Sequence, residues 1–251
     1  MPPAPQQRAR CAPEPATPTL SSVLAIPVPL SLSIVMPVLD EGEHIVASLA
    51  ALAPLRARGA ELIVVDGGSS DGTLALCRDR ADAVLSAPRG RAVQMNAGAR
   101  AASAPVLLFL HADTALPDAA LALIAQAAAQ SAWGRFDVHI EGRSALLPVV
   151  ARLMNLRSRL TGIATGDQAL FVRRDSFDAV GGFPEQALME DIELSKRLRR
   201  SGPPACLRAQ VRTSGRRWDR RGAWRTIVLM WRLRLLYWLG VPAERLAAAY
   251  R

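Results

Sequence analysis

The segment LLFLHADTALP, residues 107–117, ends a dense apolar run with His111 and Asp113. If a strand continues through both residues, their side chains point the same way and could serve one ligand. A carboxylate with nucleotide phosphates and water is a usual shell for Mg²⁺ or Mn²⁺. A lone aspartate after a strand is often only structural, and His111 could instead make a fixed hydrogen bond within the site. The pair is a candidate metal site with Asp113 as its principal ligand.

The segment DGGSSDGT, residues 66–73, lies where an apolar run passes into a helical pattern. Its glycines, including Gly68, allow unusual backbone angles and the close approach of a ligand, and the N-terminus of the next helix attracts phosphate. Asp66 could accept hydrogen bonds from a nucleobase or a ribose. Asp71 could equally be the cap of the helix. The pattern indicates nucleotide binding without matching GxGxxG.

The segment MEDIEL, residues 189–194, places Glu190 and Asp191 in the first turn of a predicted helix. Acidic residues at this end stabilise the helix dipole, which is the structural explanation. A carboxylate beside a bound sugar or alcohol is also a suitable general base. The preceding GGFPE resembles a loop that fits closely over a ligand.

Basic residues are concentrated at the end of the chain, where fifteen Lys and Arg after position 195 face only Asp219 and Glu244. Within this region SGRRWDRRGAW, residues 214–224, combines four arginines with two tryptophans. Arginine binds phosphate with two parallel hydrogen bonds, and tryptophan offers a flat face. Phosphate ligands, an anionic membrane or a merely solvated face all suit this composition. We expect no nucleic-acid partner, because no nucleic-acid-binding motif accompanies it.

Short apolar runs alternate with helical stretches, and the runs are apolar on both faces. This pattern predicts an α/β fold with a mostly parallel sheet covered by helices on both faces, with ligands outside the carboxyl ends of the strands. The predicted strands are 32–38, 61–66, 83–86, 105–113, an edge strand at 133–142, and 167–174. The predicted helices are 43–53, 71–80, 91–102, 145–161, 175–180 and 190–200.

The ends of the chain differ from this core. Residues 1–30 contain eight prolines and are predicted to be a disordered tail, which leaves a catalytic domain at 31–222 and an amphipathic helical segment at 223–251. The stretch AWRTIVLMWRLRLLYWLG has Arg232 and Arg234 in its middle, so it does not suit a membrane span. It fits an interfacial helix on an anionic membrane, and equally a helix packed on the domain or on a second copy.

Taken together, SIVMPVLDEGEHI, ELIVVDGGSSDGT, HAD and MEDIEL resemble the motifs of family 2 inverting glycosyltransferases of GT-A fold. SGRRW is similar to the QxxRW motif of part of that family, and His111 stands where its first metal-motif aspartate is expected. The resemblance covers roughly residues 31–218. With GRAVQMNAGA included, the set is most similar to a small bacterial subgroup labelled arsenosugar-biosynthesis-like glycosyltransferases.

The resemblance implies transfer of a sugar from a UDP- or GDP-sugar to an acceptor hydroxyl, with inversion and with Mn²⁺ or Mg²⁺. Asp191 is implied as the general base, with Glu190 beside it, and Asp113 and His111 as the metal ligands. The implied nucleotide-sugar site consists of Pro37, Asp40, Glu41, Asp66, Gly68, Asp71, Arg91, Ala112 and Asp113. The implied acceptor side consists of Gly166, Asp167, Gln168, Arg217 and Trp218.

Two other functions fit parts of the pattern. One is a nucleotidyltransferase or sugar-phosphate pyrophosphorylase, although PVLDEGE stands where such enzymes usually carry a glycine- and arginine-rich loop. The other is a non-catalytic module that binds phosphate or a membrane surface. The acceptor is unidentified, and a lipid-linked molecule is one candidate. Three cysteines without CxxC spacing favour a reducing compartment, so we expect a cytoplasmic protein, with a peripheral position at the inner face of the membrane as one option.

Overall fold

The computed structural model describes residues 31–250, and the predicted tail at 1–30 lies outside this range. Its strands are β1 (Leu32–Val38), β2 (Glu61–Asp66), β3 (Ala83–Ser86), β4 (Val106–Phe109), β5 (Thr114–Ala115), β6 (Trp133–Glu141), β7 (Leu170–Arg173) and β8 (Ala205–Ser214). They form one mixed sheet in the order β3-β2-β1-β4-β7-β6-β8-β5. Strands β3, β2, β1 and β4 are mutually parallel, as are β6 and β8, whereas β7 is antiparallel to both its neighbours and β5 to β8.

Helices cover both faces of this sheet. They are α1 (Ile45–Arg56), α2 (Thr73–Cys77), α3 (Arg91–Ala101), α4 (Ala120–Gln130), α5 (Leu147–Thr161), α6 (Arg174–Ala179), α7 (Glu190–Leu198), α8 (Arg216–Arg221), α9 (Ala223–Trp238) and α10 (Ala243–Tyr250). Alternate residues of β1 point to opposite faces of the sheet. Ile34 and Met36 pack with α1, α2, α4 and α5 on one face. Val35 packs with α3, α6 and α7 on the other. The predicted fold class is therefore confirmed.

Helix α3 lies unusually close to the sheet. A side chain at Gly98 would place its Cβ 2.3 Å from Cγ1 of Val35 on β1. Real Cβ atoms do not approach another carbon this closely, so the position requires glycine. The close contact brings the start of α3, with Arg91, toward the carboxyl ends of β1 and β2.

Several predicted elements need correction. Strand β4 ends at Phe109, so the strand predicted through residue 113 stops early. Strand β6 is not an edge strand, because β8 pairs with its outer side; β8 itself was not predicted. The strand predicted from residue 167 begins at Leu170, after a 3₁₀ turn at Gly166–Gln168.

The C-terminal helices pack against α7. Leu233 of α9 and Leu246 of α10 form a small buried cluster with Met189 and Ile192, and Lys196 of α7 lies 4.8 Å from the ring centroid of Tyr237. One face of α9 is thus held by the domain. Within residues 31–250 no helix is both long and apolar enough to cross a membrane.

Candidate functional site

The loops after β1 and β2 are tied together by hydrogen bonds. The backbone N–H of Ser70 donates to Oδ1 of Asp40 at 2.8 Å, and that of Gly42 donates to Oδ2 of Asp71 at 2.8 Å. These bonds hold the loop after β1 against the glycine-rich turn after β2. Asp71 also accepts a hydrogen bond from the Thr73 N–H at 3.1 Å, at the start of α2. Its place in a nucleotide site stays a prediction.

The carboxylate of Asp66 accepts hydrogen bonds from the turn that follows it. Its Oδ2 accepts hydrogen bonds from the N–H groups of Gly68 at 3.0 Å and Ser69 at 3.1 Å, and its Oδ1 accepts a short one from the Ser69 hydroxyl. The residue is buried. In the structure, Asp66 shapes the glycine-rich turn, and its contact with a base stays a prediction.

Helix α3 supplies two buried amides that position the site. Nε2 of Gln94 donates to the carbonyls of Val38 at 2.9 Å and Val65 at 2.8 Å, which joins the ends of β1 and β2. Asn96 exchanges two hydrogen bonds with the backbone of Phe183, at 2.8 and 2.9 Å. The segment QMN in GRAVQMNAGA therefore fixes both the ends of β1 and β2 and the GGFPE loop.

His111 and Asp113 lie in a turn rather than on a strand, so the argument that strand geometry aligns their side chains is wrong. The turn closes with a 3.1 Å hydrogen bond from the Thr114 N–H to the His111 carbonyl. Nδ1 of His111 lies 3.6 Å from Oδ1 of Asp167, whereas Oδ2 of Asp113 lies 3.9 Å from Nη2 of Arg216. The two side chains have different partners, and buried Ala112 separates them.

Gly166 connects the histidine to the proposed base. Its N–H donates a 2.9 Å hydrogen bond to Oδ2 of Asp191. A Cβ at this position would lie 2.5 Å from Cε1 of His111. The imidazole therefore rests on the glycine, and the loop before β7 brings His111, Asp167 and Asp191 into one cleft.

Asp167 remains ionised in this cleft. Burial by itself would raise its pKa, but the contact with His111 and the positive charges of Arg91 and Arg217 outweigh burial and lower the pKa. Half of its side chain is still open to solvent. Asp167 is thus an accessible negative charge near Asp191.

The pKa values of Glu190 and Asp191 are raised, whereas that of Asp167 is lowered. Burial raises the pKa of Asp191, and the charge of Asp167 adds to the effect, against hydrogen bonds from the N–H groups of Gly166 and Ile192. Burial and the neighbouring Asp191 raise the pKa of Glu190. Glu190 is the more deeply buried of the two. Asp191 is the carboxylate better placed to meet a ligand, and a raised pKa suits a general base.

Of the residues predicted on the acceptor side, some lie in the cleft and others support it. Arg217 lies in the cleft, where its pKa is lowered by burial and by the positive charges of Arg91 and Arg221, against Asp167 and Asp113. Trp218 packs partly against the main core. Gln168 is buried and closes the loop by accepting from the Thr165 N–H at 3.2 Å. Gln168 and Trp218 thus act on this side as supports.

Two arginines of the site were missed from the sequence. Arg216 lies 3.2 Å from Oε2 of Glu41 and so joins the loop after β1 to Asp113. Arg157 on α5 feels the charges of Asp191 and Asp167, although burial is the main influence and lowers its pKa. Its Nε and Nη2 are buried without a hydrogen-bond partner among the described residues. Neither was among the implied site residues. Arg216 stands in SGRRW, whose arginines were candidate phosphate ligands, whereas no sequence signal distinguishes Arg157 among thirty arginines.

A sequence model of glycosyl transferase family 2 matches residues 33–180, more than half of the chain. The protein belongs to this family. The matched range contains the glycine-rich turn, the His111–Asp113 turn and the loop of Gly166, but not Glu190 or Asp191. A search of curated proteins found no significant relative.

Solved structures similar to this family 2 protein share its fold at low identity. A mannosyltransferase from Pyrobaculum calidifontis, PcManGT, solved with GDP-Man and Mn²⁺, is 20% identical with a TM-score of 0.60, over 91% of this chain and 64% of that one. S. aureus TarS 1-349 with UDP is 20% identical with a TM-score of 0.59, over 73% and 60%. Glucosyl-3-phosphoglycerate synthase from Mycobacterium tuberculosis, with Mn²⁺, UDP and glucosyl-3-phosphoglycerate, is 18% identical with a TM-score of 0.57, over 82% and 78%. The chain spans less than two thirds of the first two proteins.

A divalent metal in the cleft would depend on few protein ligands. Within residues 31–250 no three His, Cys, Asp or Glu side chains converge into a protein-only metal site. Asp113 is 31% exposed and is a hard oxygen ligand in the cleft. Binding through one or two carboxylates, a diphosphate and water is usual for Mg²⁺, so this family 2 site fits a metal held jointly with the donor.

A separate surface groove lies away from the cleft. It has a volume of about 650 Å³ and is lined by residues that include Arg174, Phe183 and Arg197, but by none of the cleft carboxylates. Arg174 donates to three backbone carbonyls, and Arg197 contacts Glu193. Arg174 and Arg197 thus have structural partners in the domain.

Proposed function

We propose that this protein transfers a sugar from a UDP- or GDP-sugar to an acceptor hydroxyl, with inversion at the anomeric carbon and with Asp191 as general base. The observation that carries the proposal is the hydrogen bond from Gly166 to Asp191, because it fixes a carboxylate of raised pKa in the same cleft as Asp113 and Arg217. Membership of glycosyl transferase family 2 supports the reaction class. The finer likeness to the arsenosugar-biosynthesis-like subgroup is part of this proposal and assigns no substrate.

In the proposed reaction, Asp191 accepts the proton of the acceptor hydroxyl while that oxygen attacks the anomeric carbon. The bond from this carbon to the diphosphate breaks on the opposite side, so the configuration inverts. Asp191 is held at the right position by two N–H groups, those of Gly166 and Ile192. Glu190 lies next to Asp191 in the chain, and burial together with the charge of Asp191 raises the pKa of Glu190.

The nucleotide is proposed to lie along the loops after β1 and β2, beside Pro37, Asp40 and Glu41. Arg91 and Arg217 stabilise the charge that develops on the departing diphosphate. Asp113 would hold a Mn²⁺ or Mg²⁺ ion, which when bound supplies further charge neutralisation at the phosphates. His111 contacts Asp167 and shapes the wall next to Asp191, and its role as a second metal ligand remains a proposal.

The acceptor is proposed to enter beside Gly166 and Asp167. A lipid-linked acceptor and a cytoplasmic protein at the inner face of the membrane are consistent with the basic C-terminal part of the chain. The alternative nucleotidyltransferase chemistry would release pyrophosphate from a nucleoside triphosphate, so the two reactions are distinguishable by product.

A binding screen tests the site. The thermal midpoint of the purified chain is measured with UDP, GDP and other nucleoside diphosphates, each with Mn²⁺, Mg²⁺ or a chelator. We expect one nucleoside diphosphate to raise the midpoint in the presence of metal, and Asp113→Asn to lose the metal-dependent part. Asp118→Asn, an exposed aspartate five residues further on, is the matched control and should behave as wild type. Absence of any shift at millimolar nucleotide would overturn the proposal.

A further inference from the structure

We propose that α5 and α9 together form a docking surface for an anionic lipid bilayer, next to the cleft. The two-helix face is defined by Val149, Leu153, Leu156 and Leu160 on α5 and by Trp224, Val228, Trp231, Leu235 and Trp238 on α9. Its link to the acceptor rests on the proposed function, because it would present the cleft to an acceptor hydroxyl carried by a lipid.

The exposed apolar residues of α5 form one stripe. They are spaced by four, three and four residues, as on one side of a helix, and each is between 51% and 61% exposed. The opposite side of the helix, with Leu147, Ala151 and Ser158, is buried against the sheet. No acidic residue occurs in α5, and Arg152 is exposed. This stripe was not predicted from the sequence.

Helix α9 repeats the arrangement with larger side chains. Its exposed residues are spaced by four, three, four and three, are between 52% and 80% exposed, and include three tryptophans. Its buried side carries Leu233, which packs on α7. Helix α9 also lacks acidic residues and exposes Arg225 and Arg232. Tryptophan and arginine beside an apolar stripe are the composition of an interfacial helix.

Both helices are anchored beside the cleft. Ile163, which follows α5, packs with Leu233 of α9 in the cluster that contains Ile192, the neighbour of Asp191. The loop that begins α5 is tied to α8 by a 3.0 Å hydrogen bond from the Arg143 N–H to Asp219. Ile163 and Leu233 thus connect both helices to Ile192, whose N–H donates to the proposed base Asp191.

The positive charge of α5 and α9 indicates which partner the two-helix face binds. A second copy of the chain would bring arginine-rich helices without acidic residues together, and like charges in contact repel. An anionic membrane surface is complementary and attracts each exposed arginine. A groove of about 400 Å³ at the base of α9, lined by Arg220, Arg221 and Arg225 among others, suits a lipid phosphate. An anionic bilayer is thus favoured over self-association.

Vesicle flotation of the full chain tests the surface. Vesicles contain phosphatidylcholine alone, or one part phosphatidylglycerol to two parts phosphatidylcholine, and binding is expected only to the anionic vesicles. The pairs Leu153→Ser with Leu156→Ser on α5, and Trp231→Ser with Trp238→Ser on α9, should each weaken binding by about tenfold or more. Val46→Ser, an exposed apolar residue on α1, is the matched control and should leave binding unchanged.

Each outcome decides the question. Equal binding to neutral and anionic vesicles would contradict the proposal that α5 and α9 form one membrane-binding surface. Loss of vesicle binding in the α9 double variant, without loss in the α5 double variant, would also contradict it. A stable dimer in solution that both pairs disrupt would show a protein interface instead. Release of nucleoside diphosphate in vesicle-free buffer is measured for every variant, so failure of docking with intact turnover is distinguished from failure of the proposed reaction.

Discussion

The backbone N–H of Gly166 donates a 2.9 Å hydrogen bond to Oδ2 of Asp191. The same glycine carries the imidazole of His111 against its Cα, where no side chain fits. One loop thus sets the position of the proposed base and of the His111 imidazole. We therefore expect turnover to depend on this loop as well as on the acidic residues.

Gly166→Ala should impair turnover more than folding. The new Cβ would meet Cε1 of His111 at 2.5 Å, so the loop or the imidazole must move and the bond to Asp191 is disturbed. Misplacement of a catalytic group by about an ångström lowers rates by up to about a hundredfold. The measurement is the rate of nucleoside diphosphate release, with thermal unfolding as the check on folding. Combining it with His111→Ala removes the clash, so a double variant much slower than His111→Ala alone would contradict this explanation.

Asp167→Asn should shift the acidic limb of the pH–rate profile to lower pH. Asp191 must be deprotonated to act as a base, and Asp167 is one cause, after burial, that raises its pKa. Removing that negative charge lets Asp191 lose its proton at lower pH. Arg91→Met should shift the limb the other way, because the charge of Arg91 lowers the pKa of Asp191. Asp175→Asn, on the exposed surface of α6, serves as control, and a limb that moves equally in all three variants would refute the assignment.

Glu190→Gln should stabilise the protein at neutral pH. Burial, and then Asp191, raise the pKa of Glu190 above its ordinary value of 4.5, so the folded state holds the proton more tightly than the unfolded state. As pH rises through the folded pKa, the buried carboxylate ionises and stability is lost. The thermal midpoint of the variant should exceed that of wild type at pH 7, and the difference should shrink below pH 4.5. A lower midpoint at pH 7 would show that ionised Glu190 stabilises the fold.

Asn96→Ala should loosen the GGFPE loop. It removes two hydrogen bonds to the backbone of Phe183, whose ring packs against Phe109 and Phe177. Leaving buried backbone groups without partners costs about 1–3 kcal/mol each. Chemical denaturation measures the loss, and Asn96→Asp, which keeps the acceptor, should lose less. Equal stability of Asn96→Ala and wild type would show that Asn96 does not stabilise the GGFPE loop.

The sheet was predictable where apolar runs are short and bounded. The bounds of β1, β2 and β3 agree with the sequence prediction, because each run is apolar on both faces and ends in polar turn residues. Strand β8 alternates buried residues with Arg208 and Arg212, and this composition resembles a solvated segment until its pairing with β6 is seen. The missing strand is also the reason that β6 was predicted to be an edge strand.

The candidate site was predictable in its residue types but not in its contacts. Motif order placed the carboxylates at one edge of the sheet, since parallel strands share that edge. The different partners of His111 and Asp113 depend on the turn after β4, which periodicity does not reveal. Arg216 lies in SGRRW, a candidate phosphate-binding segment, but Arg157 enters the cleft from α5 through tertiary packing, so sequence spacing could not identify it.

The central claim is tested most directly by nucleotide release from sugar donors. The purified chain and its Asp191→Asn variant are incubated with UDP- and GDP-sugars in turn, with Mn²⁺ or Mg²⁺, and free nucleoside diphosphate is measured over time. We predict that wild type releases the nucleotide from one class of donor, and that Asp191→Asn binds it normally but releases it on the order of a hundredfold more slowly. Release at the same rate by both proteins, or by neither with any donor and ion, would contradict the account.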